Sequence, residues 1–367
     1  MTSNKIHQGS PMFLKDMEEA AIDALNNDRY LGGENVVKFE EEFARFIGTK
    51  CAVSTSSGTA ALAFILSSLD AQGKRWITSP MSFIASANCI VHAGGKPEFA
   101  DISMKDYCLD PKAAETGARN GAQGIIPVHL YGQPVDFDRF SEISEKHGTN
   151  IVEDACQAHG AQYKGRMVGS LGIAAAFSFY PSKNMTVLGD GGMVTTNDEN
   201  IASTCQKLRD SGRVSKYEHD LIGYTARLGS VSAAIGRVQL KHLREWNERR
   251  RAIALKYHDE LKDVKGLTLP PMPDKNFKPV FHQFVVRTRD RDKLKDYLEE
   301  KDIESGIHYP IPIHLQPIYK QKYGYKEGAY KNSELLAKQC LSLPMHVLLT
   351  DQQVSYICET IQNFFAR

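Results

Sequence analysis

No stretch of the chain reaches the roughly 18 consecutive apolar residues of a membrane-spanning helix, so no such helix is expected. Neither charge is in excess: 45 Lys and Arg stand against 44 Asp and Glu in 367 residues. No net field is therefore available to draw the protein onto nucleic acid or an anionic membrane, and neither is expected as a partner. Cysteine is sparse and unordered. The residues Cys51, Cys89, Cys108, Cys156, Cys205, Cys340 and Cys358 form no CxxC pair and are odd in number, which fits a reducing compartment better than a disulfide framework. Residues 1–13 mix Lys, His, Gln and Pro without the apolar core of a secretory leader, and a cytoplasmic location is expected. Several nucleotide and metal signatures are also missing: there is no Walker A loop, no HExxH and no GxGxxG after a strand. The histidines are scattered. His308 and His314 flank a Tyr-Pro segment without Cys or acidic companions at ligand spacing, so no metal site is expected.

What the chain has is ordinary globular composition, 42% hydrophobic and 24% charged. Its length exceeds a single core, which predicts one large domain and one smaller one with a cleft between them. Short apolar runs alternate with helical patterns over the first two-thirds, an α/β rhythm. Strands are predicted at 51–54, 75–78, 97–102, 124–130, 150–154, 174–180 and 192–196, with a helix over 59–69. Phe39, Phe43, Phe46 and Ile47 share one face of an earlier helix. A long helix over 231–261, striped by Ile235, Val238, Leu243 and Trp246, is placed to link the domains, predicted as 1–245 and 246–367. Beyond it come a short extended run at 266–269, a strand over 280–286 and a helix over 291–301. Arg249, Arg250 and Arg251, set among Glu245, Trp246 and Glu248, read as a solvated helix face.

In open α/β sheets ligands collect beyond the carboxyl ends of the strands, and three such places carry chemistry. Ser57, Gly58 and Thr59 follow the first strand and open a helix, where backbone N–H groups and hydroxyls receive an anion such as phosphate; Ser and Thr there also serve as plain N-caps. The run from Ile151 to Gln157 delivers Glu153 and Asp154 to a strand end, where a buried carboxylate needs a cation or hydrogen bonds, such as a protonated pyridine nitrogen. The bland alternative is that either residue caps the next turn. Lys183 follows the apolar strand ending in Ser178 and precedes the glycine-dense Gly189 to Gly192, so its amine is placed to meet a cofactor aldehyde. Alone it would be one more surface charge.

Taken in order, these elements resemble the DegT/DnrJ/EryC family of sugar aminotransferases, within the fold-type I pyridoxal-phosphate enzymes. The likeness runs over nearly the whole chain, through Gly32 and Gly33, Ser57 to Leu62, Glu153 to Ala161, Ser178 to Asn184, Gly189 to Gly192, Ile222 to Tyr224, Gln239 and Leu240, and Tyr309, Pro310 and His314. The resemblance implies a large domain with a mostly parallel mixed sheet flanked by helices and a smaller C-terminal α/β domain. It also implies a cofactor, pyridoxal 5'-phosphate, passing through pyridoxamine 5'-phosphate, with Lys183 as the Schiff-base lysine and Asp154 on the pyridine nitrogen. By the same resemblance Gln157 meets the phenolic oxygen, Ser57, Gly58, Thr59 and Ser178 hold the phosphate, and Phe83 stacks on the ring, although a plain core Phe is the alternative. The implied reaction is a ping-pong transfer of an amino group from glutamate or glutamine to a nucleotide-linked keto-sugar, in a homodimer with shared active sites. His308, Tyr309 and His314 occupy the region of the sugar-binding edge, or else an ordinary turn.

Two departures stand out. Thr225 stands where the family commonly sends an Asn across the dimer to the phosphate, and Ser211 where it often has His. Two other readings belong to the same family: a sugar dehydratase, which would lack the Schiff-base lysine, and a cofactor-binding regulator, which would show damage at Lys183 or Asp154. Both residues are present.

Overall fold

A computed structural model describes residues 5–272 and 274–366, so the first four residues of the N-terminal stretch lie outside the described residues. The strands in chain order are β1 (Cys51–Thr55), β2 (Arg75–Thr78), β3 (Lys96–Phe99), β4 (Gly124–Ile126), β5 (Asn150–Asp154), β6 (Gln162–Tyr163), β7 (Arg166–Met167), β8 (Ala174–Ser178), β9 (Gly192–Thr196), β10 (Phe277–Lys278), β11 (Phe284–Arg287) and β12 (Cys340–Leu343). The main sheet has seven strands in the order β1, β9, β8, β5, β4, β2, β3. Strand β9 runs antiparallel to both its neighbours, and every other pairing is parallel. Because β1 and β8 each oppose β9, they point the same way as β5. The carboxyl ends of all three therefore share one sheet edge, the edge at which loops and helix N-termini converge.

Helices cover both faces. The helix α1 (Lys15–Asn27) packs on the long helix Ser230–Leu261, as does α2 (Glu34–Ile47). On α2 the spacing of Phe39, Phe43 and Ile47 gives one buried stripe, with Phe46 partly buried at its margin. Phe43 meets Phe177 edge to face at 5.0 Å and Phe179 at 5.6 Å. Burying such a ring is worth about 1.5–3 kcal/mol. Since strand residues alternate faces, anchoring Phe177 and Phe179 under α2 turns Ser178 to the opposite face. That face carries α3 (Gly58–Ser68) and α4 (Ala85–His92).

The predicted strands are present but several are shorter. Pro127 ends β4 after Ile126 because it cannot donate to a ladder, and the chain turns at His129. The segment predicted as strand 280–286 becomes regular only at Phe284; Phe281 takes a φ of 42° and the irregular stretch carries His282 and Gln283 inward. The run 266–269 contributes only an isolated bridge, Thr268 to Arg287.

Arg250 corrects the reading of a solvated helix face. It is buried, and its guanidinium donates to the carbonyls of Phe281 and Met345 at 3.2 and 3.0 Å. Its neighbours are also engaged, Arg249 with Asp351 and Arg251 with Glu248. The expected boundary at residue 245 falls inside the long helix, whose 32 residues extend about 48 Å. Leu240 and Leu243 pack in the core of the large sheet, while Ile253, Ala254, Tyr257 and Leu261 pack with β11, β12 and the C-terminal helix. Ile6 joins this second core through a bridge to Ile303. Among the described residues no helix is long and apolar enough to cross a membrane.

At the end of β5 the two carboxylates divide their work. Glu153 is fully buried and accepts from the backbone N–H groups of Gly169, Leu171 and Gly172 at 2.8–2.9 Å, with His129 Nε2 at 3.1 Å. It fixes the connection that leads into β8. A Glu153→Ala protein, leaving these donors buried and unpaired, should lose about 3–5 kcal/mol of stability in urea unfolding; a loss under 1 kcal/mol would contradict this anchoring role.

Candidate active site

A cavity of about 420 Å³ opens at the shared sheet edge. It is lined by Ser57, Gly58, Thr59, Phe83, Asp154, Gln157, Ser178, Lys183, His308 and Tyr309, ten of the residues singled out in the sequence. His314 and Thr225 are not among them. His314 is fully buried elsewhere, its Nε2 3.0 Å from Glu334 and its ring against Tyr330, and Glu334 also takes the N–H groups of Gly328 and Tyr330. This network ties the segment after His314 into the C-terminal part and turns the imidazole away from the cavity. Thr225 is exposed on a loop held to Asp210 by a backbone bridge, beside Arg227 in an ion pair with Asp210 at 2.9 Å. Ser211 sits on the same loop system in a left-handed conformation, φ 60°.

Each wall follows from local sequence. Ser57 caps α3, its Oγ accepting from Ala60 N at 3.1 Å, so the first-turn amides of Gly58 and Thr59 lie ahead of the intrahelical ladder, at the positive end of the helix dipole. A side chain at Gly58 would have its Cβ 2.7 Å from Cys156 Sγ and 2.8 Å from Ser178 Cβ; only glycine lets this turn approach β8. Gly192 admits the turn from the other side, a Cβ there falling 2.3 Å from Ser57 O.

Asp154, 4% exposed, accepts from Ser86 Oγ at 2.6 Å and from Cys156 N at 3.2 Å. Ser82 is in turn hydrogen-bonded to Ser86 at 2.7 Å. All these partners are neutral, and among the described residues no cationic side chain bonds the carboxylate. Gln157 accepts from Tyr131 N at 2.7 Å, which fixes its amide so that the NH2 end turns to Tyr309 Oη at 3.1 Å and the cavity. Phe83 is 55% exposed and lies 6.2 Å, ring to ring, from Tyr309. An aromatic ring this exposed is not a core Phe.

Lys183 closes a turn, its N–H donating to Tyr180 O at 2.9 Å. Burial lowers the pKa of its amine, against the weaker opposing influence of Cys156 and Asp154. Burial and the nearby Lys183 also push His308 down to about 4, and burial holds the Tyr309 hydroxyl above its ordinary value. The cavity is thus lined by aromatic and imidazole rings, the Lys183 amine and the carboxyl groups of Asp154 and Asp190.

Sequence reading missed Ser86, Ser82, His282 and Gln283. Ser86 lies on α4 and Ser82 in the turn before it, and both approach Asp154 only through the fold, while His282 was hidden in an expected strand. A larger groove of about 930 Å³ lies elsewhere, but its charged walls are paired surface groups, among them Arg139 with Glu142 and Lys146 with Glu115. Size alone does not mark the reactive site.

The donor set fits pyridoxal phosphate. A buried carboxylate with only neutral partners suits a protonated ring nitrogen, the free first-turn amides of Gly58 and Thr59 at the N-terminus of α3 suit a phosphate, and a half-buried amine of lowered pKa suits an aldehyde. Comparison with known proteins agrees with this geometry. The sequence pattern of the DegT/DnrJ/EryC1/StrS aminotransferase family matches residues 13–362, and the chain belongs to this family. It is 38% identical over 354 residues to the dTDP-3-amino-3,4,6-trideoxy-alpha-D-glucose transaminase of Streptomyces venezuelae, covering 96% of this chain and 93% of that protein. It is 37% identical over 365 residues to a protein of Geobacillus stearothermophilus named a pleiotropic regulatory protein, covering 99% and 97%. The crystal structure of S. venezuelae DesV in complex with a ketimine intermediate matches with a TM-score of 0.93 at 37% identity, over 96% of this chain and 95% of that one.

A lowered pKa leaves more of Lys183 uncharged at a given pH than an exposed lysine. In protein dialysed against hydroxylamine, to strip any carbonyl compound, trinitrobenzenesulfonate at pH 8 should modify Lys183 faster than the surface lysines. Its pH profile should break below the ordinary 10.5. Modification no faster than at the surface lysines would contradict a lowered pKa at this amine.

Proposed function

We propose that this chain is a pyridoxal-phosphate-dependent aminotransferase that moves an amino group from glutamate or glutamine to a nucleotide-linked keto-sugar. One observation carries the reading: Lys183, Asp154 and the Ser57 to Thr59 turn, drawn from three separate strand ends, open onto one cavity. The names of relatives that act on dTDP- and UDP-linked sugars support the choice of acceptor.

Pyridoxal phosphate, when bound, supplies an aldehyde that condenses with amines and a ring that draws electron density from the adjoining carbon. In this chain Lys183 would hold the aldehyde carbon and, once displaced by a substrate amine, remove the proton from the substrate carbon. Its lowered pKa favours the neutral form that takes that proton. Asp154 would hold a proton on the ring nitrogen, and Ser86 and Cys156 N keep the carboxylate aimed. Gly58 N, Thr59 N and the hydroxyls of Ser57 and Ser178 would bind the phosphate, the Gln157 NH2 would donate to the phenolic oxygen, and Phe83 would cover the ring face. Donor and acceptor use the same cavity in turn, which gives ping-pong kinetics. A homodimer belongs to the reading: exposed Thr225 lies outside the cavity of its own chain and would serve the phosphate pocket of a partner subunit. The unpaired cysteines fit a cytoplasmic location.

Two relatives bear regulatory names, but this site keeps both the amine and the carboxylate that turnover requires. The same amine argues against a dehydratase.

Purified protein should show a yellow absorbance band that borohydride converts to a stable adduct on the single peptide containing Lys183. A Lys183→Ala protein that still forms the reducible adduct would overturn the assignment. Glutamate should bleach the band; no bleaching by any amino donor would favour the regulator.

A further inference from the structure

His282 lines the cavity and has no place in the account above. Its tautomer follows from its neighbours. Asn184 Nδ2 lies 2.9 Å from the carbonyl oxygen of Val280 and 3.1 Å from Asn247 Oδ1. A carbonyl oxygen only accepts, so the Asn184 atom that meets Val280 is the NH2 group, and both its hydrogens are used. The remaining atom, Asn184 Oδ1, lies 3.2 Å from His282 Nδ1. An amide oxygen cannot donate, so His282 Nδ1 carries the proton.

Burial first, then Lys183, Arg250, His308 and His159, keep the ring from taking a second proton. In a neutral imidazole protonated at Nδ1, Nε2 is a bare lone pair. No group among the described residues donates to it. Asn247 continues the chain, donating to His159 O at 2.7 Å, so two amides lock the ring from behind. Asn184 follows Lys183 directly, and the turn that carries the reactive amine therefore also sets the histidine.

We propose that His282 Nε2 accepts a hydrogen bond from a hydroxyl of the sugar acceptor, with Asn184 as the positioning residue that fixes the accepting tautomer. The inference rests on the aminotransferase reading and deepens it. A bare lone pair attracts a hydroxyl and repels carboxylate and phosphate oxygens, which at neutral pH can only accept. Of the two substrates that use the cavity in turn, the sugar has hydroxyls to offer; the amine of the amino donor is consumed at the reacting carbon. His282 thus favours the second substrate without holding the first.

The test uses the full-length, cofactor-loaded protein with the keto-sugar nucleotide that the wild type turns over fastest in a panel of dTDP- and UDP-linked compounds. His282→Phe should raise the KM for that sugar about three- to tenfold, the worth of one neutral hydrogen bond. The rate at which glutamate bleaches the absorbance band should stay within about twofold, because one hydrogen bond to the sugar plays no part in that half-reaction. His282→Gln, whose amide oxygen can stand in for Nε2, should restore most of the loss. An unchanged sugar KM in His282→Phe overturns the proposal.

Histidine-15N spectra of the wild type supply a readout independent of turnover. The signal absent from His282→Gln should show a protonated Nδ1 and a bare Nε2 at pH 7.5, and Asn184→Ala should disturb it. A protonated Nε2 in the wild type overturns the proposal. The expected tautomer in a protein that shows no half-reaction with any amino donor would instead overturn the aminotransferase reading, and the sugar assignment with it.

Discussion

Neighbouring residues of a strand point to opposite faces of the sheet, and at the ends of β5 and β8 this alternation sorts structural groups from chemical ones. On β5, Glu153 turns to the face where His129 and three backbone amides enclose it, and Asp154 turns to the face of α3 and α4, where Ser86 meets it. At the end of β8, Phe177 and the following Phe179 go under α2 while Ser178 goes to the side of Asp154. A slip of one residue in either strand would bury the wrong carboxylate and present phenylalanine to the cavity. The antiparallel β9 fixes that register between β1 and β8, and its Gly192 is the only residue type that lets the Ser57 turn lie against it.

The electrostatics follow from this placement. Asp154 is buried among neutral donors, and Lys183 sits where burial lowers its pKa, so the two do not cancel as a contact ion pair. A carboxylate left without a cation inside a protein calls for a cationic partner, and a protonated heterocycle is such a partner. Burial lowers the pKa of the histidines around Lys183 as it lowers that of the amine. The acidic and basic groups left facing the ligand are Lys183, Asp154 and Asp190.

The parts legible in the sequence are those that local pattern determines. Ser57, Gly58, Thr59, Asp154, Ser178 and Lys183 all lie at strand ends, where a change of periodicity marks the edge of the sheet, and all line the cavity. What was not legible depends on contacts distant along the chain. Arg250 looked solvated because its carbonyl partners, Phe281 and Met345, are remote in sequence. His314 looked like a cavity residue because only the fold brings Glu334 to it. His282 was hidden because β-like composition continues through a segment that the backbone breaks at Phe281. Ser86 gave no signal, since a serine on a short helix gains meaning only from the carboxylate across from it.

The central claim is that an amino group passes through this cavity from an amino acid to a nucleotide-linked sugar. Mass spectrometry of the sugar nucleotide after incubation with 15N-labelled glutamate tests it most directly. The account predicts a product in which the keto oxygen is replaced by a labelled amine, formed by the wild type and not by Lys183→Ala. A protein that binds the keto-sugar nucleotides and is bleached by glutamate, yet places no label in any sugar, would contradict it.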